Sequence, residues 1–208
     1  MGYSDQRIAG AILFVGALQF IIGMNLAEQL YPSYSVSMNY ISDLGATCRV
    51  SCEIVQPSSS IFNSSIILLA LLIIIGSYFI QRAFGTKFVT VPLVLAGIGA
   101  AGVGLFPETA GSLHSIFSFI TFLFGGLSAI VAYRIEKPPL NYFSVMLGVI
   151  TLTALVLYVS KNFLGLGPGG MERMIAYPVL LWGIGLGGHM MQASKDPRQV
   201  PFDMIMRS

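Results

Sequence analysis

Long uninterrupted runs of hydrophobic residues dominate the chain, and its charged residues fall in the gaps between those runs. The hydrocarbon core of a bilayer is about 30 Å thick, so a helix needs about 20 apolar residues to cross it. Six runs have roughly this length, and none of them contains Asp, Glu, Lys or Arg. They cover residues 8–26, 61–80, 88–106, 113–133, 142–159 and 174–191.

These runs predict an all-α membrane protein, a single domain over residues 1–208 built as a bundle of six transmembrane helices. The hydrophobicity is continuous rather than alternating, which disfavours a β-barrel. Composition agrees, since 55% of residues are hydrophobic and only 10% are charged, against about 25% charged in soluble domains. The first run is longer than the apolar part of a typical signal peptide, so we expect it to be retained.

The placement of the basic residues predicts the orientation of the bundle. Eight Lys and Arg residues lie on the side of the two chain ends, and three lie on the opposite side. The positive-inside rule therefore puts both termini in the cytoplasm of a multi-pass protein of the cell membrane. The net charge of +2 is scattered along the chain, so it gives no indication of a nucleic-acid partner.

The connection between the first two predicted helices is about 34 residues long. Connections of this length usually fold or carry function, so we expect it to fold over the outer end of the bundle; a mobile loop is the alternative. It contains Cys48 and Cys52, the chain's two cysteines. A non-cytoplasmic location permits a disulfide between them. Free thiols remain the alternative, whereas a zinc site would need a second pair of ligands.

Glycines are dense in three of the predicted helices. In the third helix their spacing spells G-x-G-x-x-G, but no strand precedes it, so it does not indicate dinucleotide binding. Small residues let membrane helices pack closely, and packing is the interpretation favoured for all of these positions. They are Gly97, Gly99, Gly102, Gly104, Gly125, Gly126, Gly183, Gly185, Gly187 and Gly188.

Candidate catalytic residues collect at the helix ends that the outer loops join: Ser42 and Asp43, then Glu108 and His114. An imidazole near a carboxylate can act as a general base or acid, although His114 could equally bond a loop carbonyl or face water. Ser42, Asp43 and His114 are the residue types of a hydrolytic triad, but the strained turn that exposes such a serine is missing. Ser42 could also cap a short helix. No metal is assigned, because no ligand spacing supports one.

Arg173 begins the sixth predicted helix, where the helix dipole disfavours a cation. One explanation is an ion pair with a neighbouring carboxylate, from Asp43, Glu108 or Glu172. Another is a bound anion, held together with the backbone N–H groups of a glycine-rich segment at the helix start. The candidate substrate-binding residues are accordingly Gly169, Gly170, Glu172 and Arg173.

Three motifs carry a resemblance to a known family: Ile-Ser-Asp-Leu-Gly at residues 41–45, Gly-Leu-Phe-Pro at 104–107 followed by His114, and Glu172-Arg173 ahead of a helix containing Trp182. Together they resemble the archaeal and bacterial membrane family called domain of unknown function 998. The resemblance covers nearly the whole chain and supports the fold and the choice of residues, but it implies no activity. A more distant likeness in layout to eukaryotic proteins that remodel lipid anchors is an analogy only.

Three functions fit these observations. The observations do not indicate whether the protein is an enzyme. The first is an enzyme or binding protein for a membrane lipid with an anionic headgroup at the outer face. The second is a structural subunit of a membrane complex, and the third is a transporter or channel for a neutral solute. No cofactor or oligomeric state is indicated. Residues that could line a polar path are Gln19, Asn63, Ser64, Ser65, Ser77, Thr121, Thr151 and Thr153.

Overall fold

The computed structural model of the protein describes residues 2–48 and 51–192, with side chains from residue 5 onward. Arg49 and three basic residues of the tail entered the charge count that predicts the orientation. Those tail residues are Lys195, Arg198 and Arg207. All four lie outside the described residues, and the orientation of the bundle stays a prediction.

The described chain is helical and includes six α-helices that are long and apolar enough to cross a membrane, which confirms the six-helix prediction. Three short 3₁₀ helices, at Ser42–Leu44, Glu108–Ala110 and Ala132–Arg134, lie in the connections. The α-helices are α1 (Gly2–Gln29), α2 (Ser58–Phe84), α3 (Lys87–Leu105), α4 (Ser112–Val131), α5 (Leu140–Val159) and α6 (Gly167–Gln192).

The helix ends differ from the ends of the apolar runs, most of all in α6. This helix begins at Gly167 rather than near residue 174, so Glu172 and Arg173 lie inside it. Pro168 follows the first residue, and a proline is tolerated in the first turn because its missing N–H would have no partner there. Hydropathy marks the apolar part of a helix, whereas backbone hydrogen bonds decide where the helix starts.

The six helices form a closed ring. Each helix packs against its neighbours in sequence, and α1 also packs against α6. The segments 30–57, 106–111 and 160–166 therefore meet at one end of the bundle, called here the long-loop end. The start of α1 and the end of α6 meet at the other, the terminal end, where Arg7 Nε donates to the Met191 carbonyl at 2.9 Å.

Close helix contacts depend on glycine at several positions. A Cβ atom on Gly10 of α1 would lie 2.6 Å from the carbonyl oxygen of Gly187 in α6. A Cβ atom on Gly99 of α3 would lie 2.6 Å from the backbone nitrogen of Thr121 in α4. Backbone atoms cannot move aside as a flexible side chain can, so these glycines fit the packing interpretation.

Candidate functional site

The segment 41–47 of the first long connection is buried at the long-loop end. Ile41 and Leu44 are 5% and 0% exposed, and both belong to the apolar cluster that contains Phe62 of α2. The hydroxyl of Ser59 donates to the carbonyl of Gly45 at 2.5 Å. The apolar residues of the Ile-Ser-Asp-Leu-Gly motif thus anchor the loop and fix the directions of Ser42 and Asp43.

Asp43 supports the loop backbone. Its Oδ2 atom accepts hydrogen bonds from the backbone N–H of Tyr40 at 2.8 Å and from the side-chain amide of Asn39 at 3.0 Å. The residue is 1% exposed.

In the same connection the sulfur atoms of Cys48 and Cys52 are 2.11 Å apart, a disulfide distance that agrees with the predicted bridge.

Glu108 joins two connections at the long-loop end. Its Oε1 atom accepts from the hydroxyl of Ser42 at 2.7 Å, and its Oε2 atom accepts from the backbone N–H of Cys48 at 3.3 Å. Burial raises the pKa of the Glu108 carboxyl and the negative charge of Asp43 adds to the rise, while the two hydrogen bonds and His114 oppose it. A carboxyl with a raised pKa is a better proton donor near neutral pH than an ordinary one.

His114 is 7% exposed and has a defined tautomer. Its Nδ1 atom lies 2.8 Å from the carbonyl oxygen of Phe106. Because a carbonyl can only accept, Nδ1 carries the proton, and Nε2 keeps its lone pair. Nε2 lies 3.2 Å from the hydroxyl of Ser118. The loop-carbonyl interpretation therefore holds for one ring nitrogen, and the other is available as a base.

A polar cavity of about 470 Å³ collects these groups. Its lining includes three of the four predicted catalytic residues, Ser42, Glu108 and His114, together with Glu172. The Glu172 side chain is directed there by a 2.5 Å hydrogen bond from the backbone N–H of Ile41. The remaining predicted residues are not among those lining it, namely Asp43, Gly169, Gly170 and Arg173.

The exposed residues of the polar-cavity lining belong to α4, to α5 and to the turn before α4, from which we infer an opening between these two helices. These exposed residues are Gly111, Ser115, Phe119 and Val159. Phe119 is 46% exposed and Val159 is 63% exposed. In a membrane-spanning bundle such apolar side chains face lipid, so the opening leads into the bilayer.

Arg173 is 4% exposed, and both of its Nη atoms have partners, whereas its Nε has none among the described residues. Its Nη2 atom forms an ion pair with Glu28 and donates to the hydroxyl of Tyr34 at 2.8 Å. Its Nη1 atom donates to the carbonyls of Val36 at 2.9 Å and Gly169 at 3.1 Å. The guanidinium thus ties the end of α1 and the following loop to α6.

Glu28 was missed by the sequence reasoning, which considered only carboxylates in the neighbouring polar clusters as partners for Arg173. The sequence feature that indicates Glu28 is the position of this residue just beyond the first apolar run, at the same end of the bundle as Arg173. The glycine N–H groups proposed for an anion are also engaged: those of Gly169 and Gly170 donate to the carbonyl of Ser37 at 2.9 and 3.4 Å. This segment binds the loop rather than presenting a vacant anion site.

A second cavity of about 120 Å³ lies inside the ring and is lined mainly by apolar side chains. It shares Ser42, Ser118, Phe122 and Glu172 with the polar cavity, so the two cavities are adjacent. Of the eight residues considered for a polar path, Thr121 is the one among the residues lining this cavity. The hydroxyls of Ser77, Thr121 and Thr151 donate to helix carbonyls at 2.7, 2.8 and 3.1 Å.

Comparison with known proteins adds one match. A family model described as a protein of unknown function (DUF998) matches residues 14–189, which includes every residue of the two cavities except Leu13. No curated protein and no solved structure matches the chain.

Proposed function

The chain belongs to the membrane family called domain of unknown function 998, and from its polar cavity we propose that it binds a membrane lipid and acts on the headgroup. The observation that carries the proposal is that Ser42, Glu108, His114 and Glu172, from four parts of the sequence, line one cavity at the long-loop end. We propose that this end faces outward, as the charge distribution predicts. The substrate would then come from the outer leaflet of the cell membrane.

The size and opening of the cavity favour a lipid over a soluble ligand. A volume of about 470 Å³ is within the range of small-molecule sites, about 300–1,000 Å³. The opening between α4 and α5 is bordered by the exposed apolar side chains of Phe119 and Val159. A molecule entering there comes from the bilayer and places its polar part among the buried hydrogen-bonding groups.

The lining favours a headgroup that donates hydrogen bonds. It contains the carboxylates of Glu108 and Glu172 and the hydroxyls of Tyr40 and Tyr158, and no Lys or Arg from the part of the chain that the structure describes. A carboxyl group offers an acceptor oxygen in either protonation state, and in neither state does it attract an anion as Lys or Arg would. The proposed substrate is therefore a lipid with a hydroxyl-bearing or amine headgroup, rather than the anionic headgroup expected from Arg173.

The same groups can move protons. In the neutral tautomer the lone pair on Nε2 of His114 accepts from the Ser118 hydroxyl, and it can take a proton from a headgroup hydroxyl or from water that replaces this partner. Burial raises the pKa of the Glu108 carboxyl, so it is able to supply a proton to a departing oxygen. General acid–base catalysis of this kind contributes typically 10²–10⁴-fold to a rate.

The test compares lipids in cells that express the wild-type protein or the variants Glu108→Gln and His114→Ala. Both variants are expected to lose lipid conversion, or lipid retained through purification, while their thermal unfolding in detergent stays near that of the wild type. Matched controls are Glu53→Gln, an exposed carboxylate of the same connection, and His189→Ala, an exposed histidine at the terminal end. Unchanged lipid profiles and unchanged retention in both site variants would contradict the proposal.

A further inference from the structure

The apolar cavity lies next to the polar one and extends into the middle of the bundle. Beyond the shared residues its walls come from α1, α2, α3, α4 and α6, and its far end is lined by Leu13, Leu93 and Trp182. Water gains no hydrogen bonds in such a space, and apolar cavities in proteins hold apolar molecules instead. The chemistry of the walls thus changes from polar in one cavity to apolar in the adjacent one.

The apolar cavity is long and narrow. Its lining on α6 runs from Glu172 to Gly183, about 16 Å at 1.5 Å per residue. On α3 it runs from Val103 to Leu93, about 15 Å on the same basis. A compact cavity of about 150 Å³ holds a benzene ring. A volume of about 120 Å³ is slightly smaller than that, so the cavity has room for one slender apolar segment at most.

Two glycines in the wall are not explained by helix packing. A Cβ atom on Gly125 would meet its nearest neighbour, a methyl group of Val179, at 3.8 Å, and one on Gly183 would meet Ala17 at 3.6 Å. These are ordinary contacts, unlike the 2.6 Å approach at Gly99. Glycine is a poorer helix former than alanine. Both positions line the cavity, where a larger side chain would fill it.

We propose that the apolar cavity binds one unbranched hydrocarbon chain of a membrane lipid, and that Gly125 and Gly183 keep its path open. The position of the lipid headgroup in the polar cavity rests on the proposed function; the chain site itself does not. The chain enters through the opening between α4 and α5 and ends near Trp182. The protein therefore selects lipids by the length and shape of one chain as well as by the headgroup.

The test uses the full chain in phosphatidylcholine vesicles that contain a 16-carbon fatty alcohol with a diazirine near its methyl end. After illumination, peptide mass spectrometry maps the labelled residues. Exposed residues such as Leu181 are labelled from the bilayer in any case. The informative positions are Leu93, Ala96 and Leu180, which are at most 7% exposed and line the cavity. We expect labelling at these interior positions in the wild type.

Gly125→Leu is expected to reduce the interior labelling at least tenfold, with Gly125→Ala giving a smaller reduction if the leucine variant does not fold. The matched control is Gly188→Leu, because a Cβ at that position has nothing within 4 Å. Absence of interior labelling in the folded wild type would overturn the proposal. Equal interior labelling in the folded Gly125 variants would overturn it as well.

The outcome separates the chain site from the headgroup chemistry, because labelling requires no reaction of the headgroup. Interior labelling together with unchanged lipids in Glu108→Gln would support the chain site and reject the proposed function. Lost lipid conversion in Glu108→Gln without interior labelling would support the function and reject the chain site.

Discussion

Arg173 at the long-loop end is buried among Glu28, Tyr34 and backbone carbonyls, whereas Arg82 at the terminal end pairs with Asp5 at 3.2 Å while its side chain is 42% exposed. The two pairs differ in what surrounds them. Arg82 keeps contact with water while Asp5 is 8% exposed, so this half-exposed pair should contribute more than the about 0–1 kcal/mol of a surface pair and less than a fully buried one. Water cannot take the place of a buried guanidinium, so removal of the guanidinium leaves its hydrogen-bond acceptors buried and unpaired.

The difference shows how the long-loop end holds its cavity. Arg173 connects α1, the first long connection and α6, and Glu108 connects the same loop to the turn before α4. These partners are loop groups as well as helix side chains. The walls of the polar cavity therefore depend on the fold of the loop, while the terminal end is held mainly by helix packing.

The largest effect is expected for Arg173→Ala. Removing the guanidinium leaves Glu28 and several carbonyls buried without their donor, a loss of about 3–5 kcal/mol for a broken buried pair. Arg82→Ala should lower stability less, by about 1–3 kcal/mol, because Arg82 is half-exposed although its partner Asp5 is buried. Thermal unfolding in detergent measures both, and limited proteolysis reports on the loop. Arg173→Lys keeps the charge but not the forked geometry, so it should restore only part of the stability. Equal losses of stability in Arg173→Ala and Arg82→Ala would contradict the difference between the two ends of the bundle.

A smaller loss is expected for Gly169→Ala. The new Cβ would overlap the carbonyl oxygen of Asn39 and lie 2.7 Å from that of Val36. Overpacking of this kind typically costs about 1–3 kcal/mol, and the loop backbone must move to relieve it. Gly188→Ala near the terminal end meets nothing within 4 Å and should leave stability unchanged or slightly raised. Denaturation of both variants in one detergent checks this, and a Gly169→Ala protein as stable as wild type would show that the loop is not tightly seated.

The six helices could be predicted from sequence because the length and polarity of each run report directly on crossing a bilayer. The family resemblance, carried by motifs such as Ile-Ser-Asp-Leu-Gly at 41–45, is confirmed by the match over 14–189. Ser42, Glu108, His114 and Glu172 could be singled out because polar residues are few and collect at helix ends. Their meeting in one cavity depends on helix packing that no single segment encodes.

The partner of Arg173 could not be predicted, because Glu28 is 145 residues away in sequence. The other candidate carboxylates are closer to Arg173 along the chain. The glycines show a similar limit. Gly99 packs against backbone, whereas Gly125 borders open space, and both are simply glycine in an apolar helix. Only the neighbouring helix decides which role each one has.

Glu136 gives the contrasting case of a buried carboxyl at the terminal end. It is 7% exposed, and among the described residues neither carboxylate oxygen has a hydrogen bond of normal geometry. Burial raises the pKa of the Glu136 carboxyl, and the nearby Ser144 hydroxyl and Trp182 indole oppose only part of the rise. Glu108 at the long-loop end accepts hydrogen bonds and lines the polar cavity, whereas Glu136 lines neither the polar nor the apolar cavity.

The smallest effect is therefore expected for Glu136→Gln, and it should depend on pH. A pKa that is higher in the folded than in the unfolded state favours the protonated form, so its stabilising contribution is full below pH about 4.5 and is lost as pH rises through the folded pKa. The glutamine variant lacks this loss and should be the more stable protein at neutral pH. The gain stays below the loss at Gly169→Ala, because the glutamine amide donors are also unpaired there. Unfolding of the wild type and of Glu136→Gln between pH 4 and pH 8 measures the difference in their stability, and the exposed Glu53→Gln serves as control. A stability difference that does not grow with pH would mean that Glu136 stays solvated or paired, as the carboxylates of the long-loop end are.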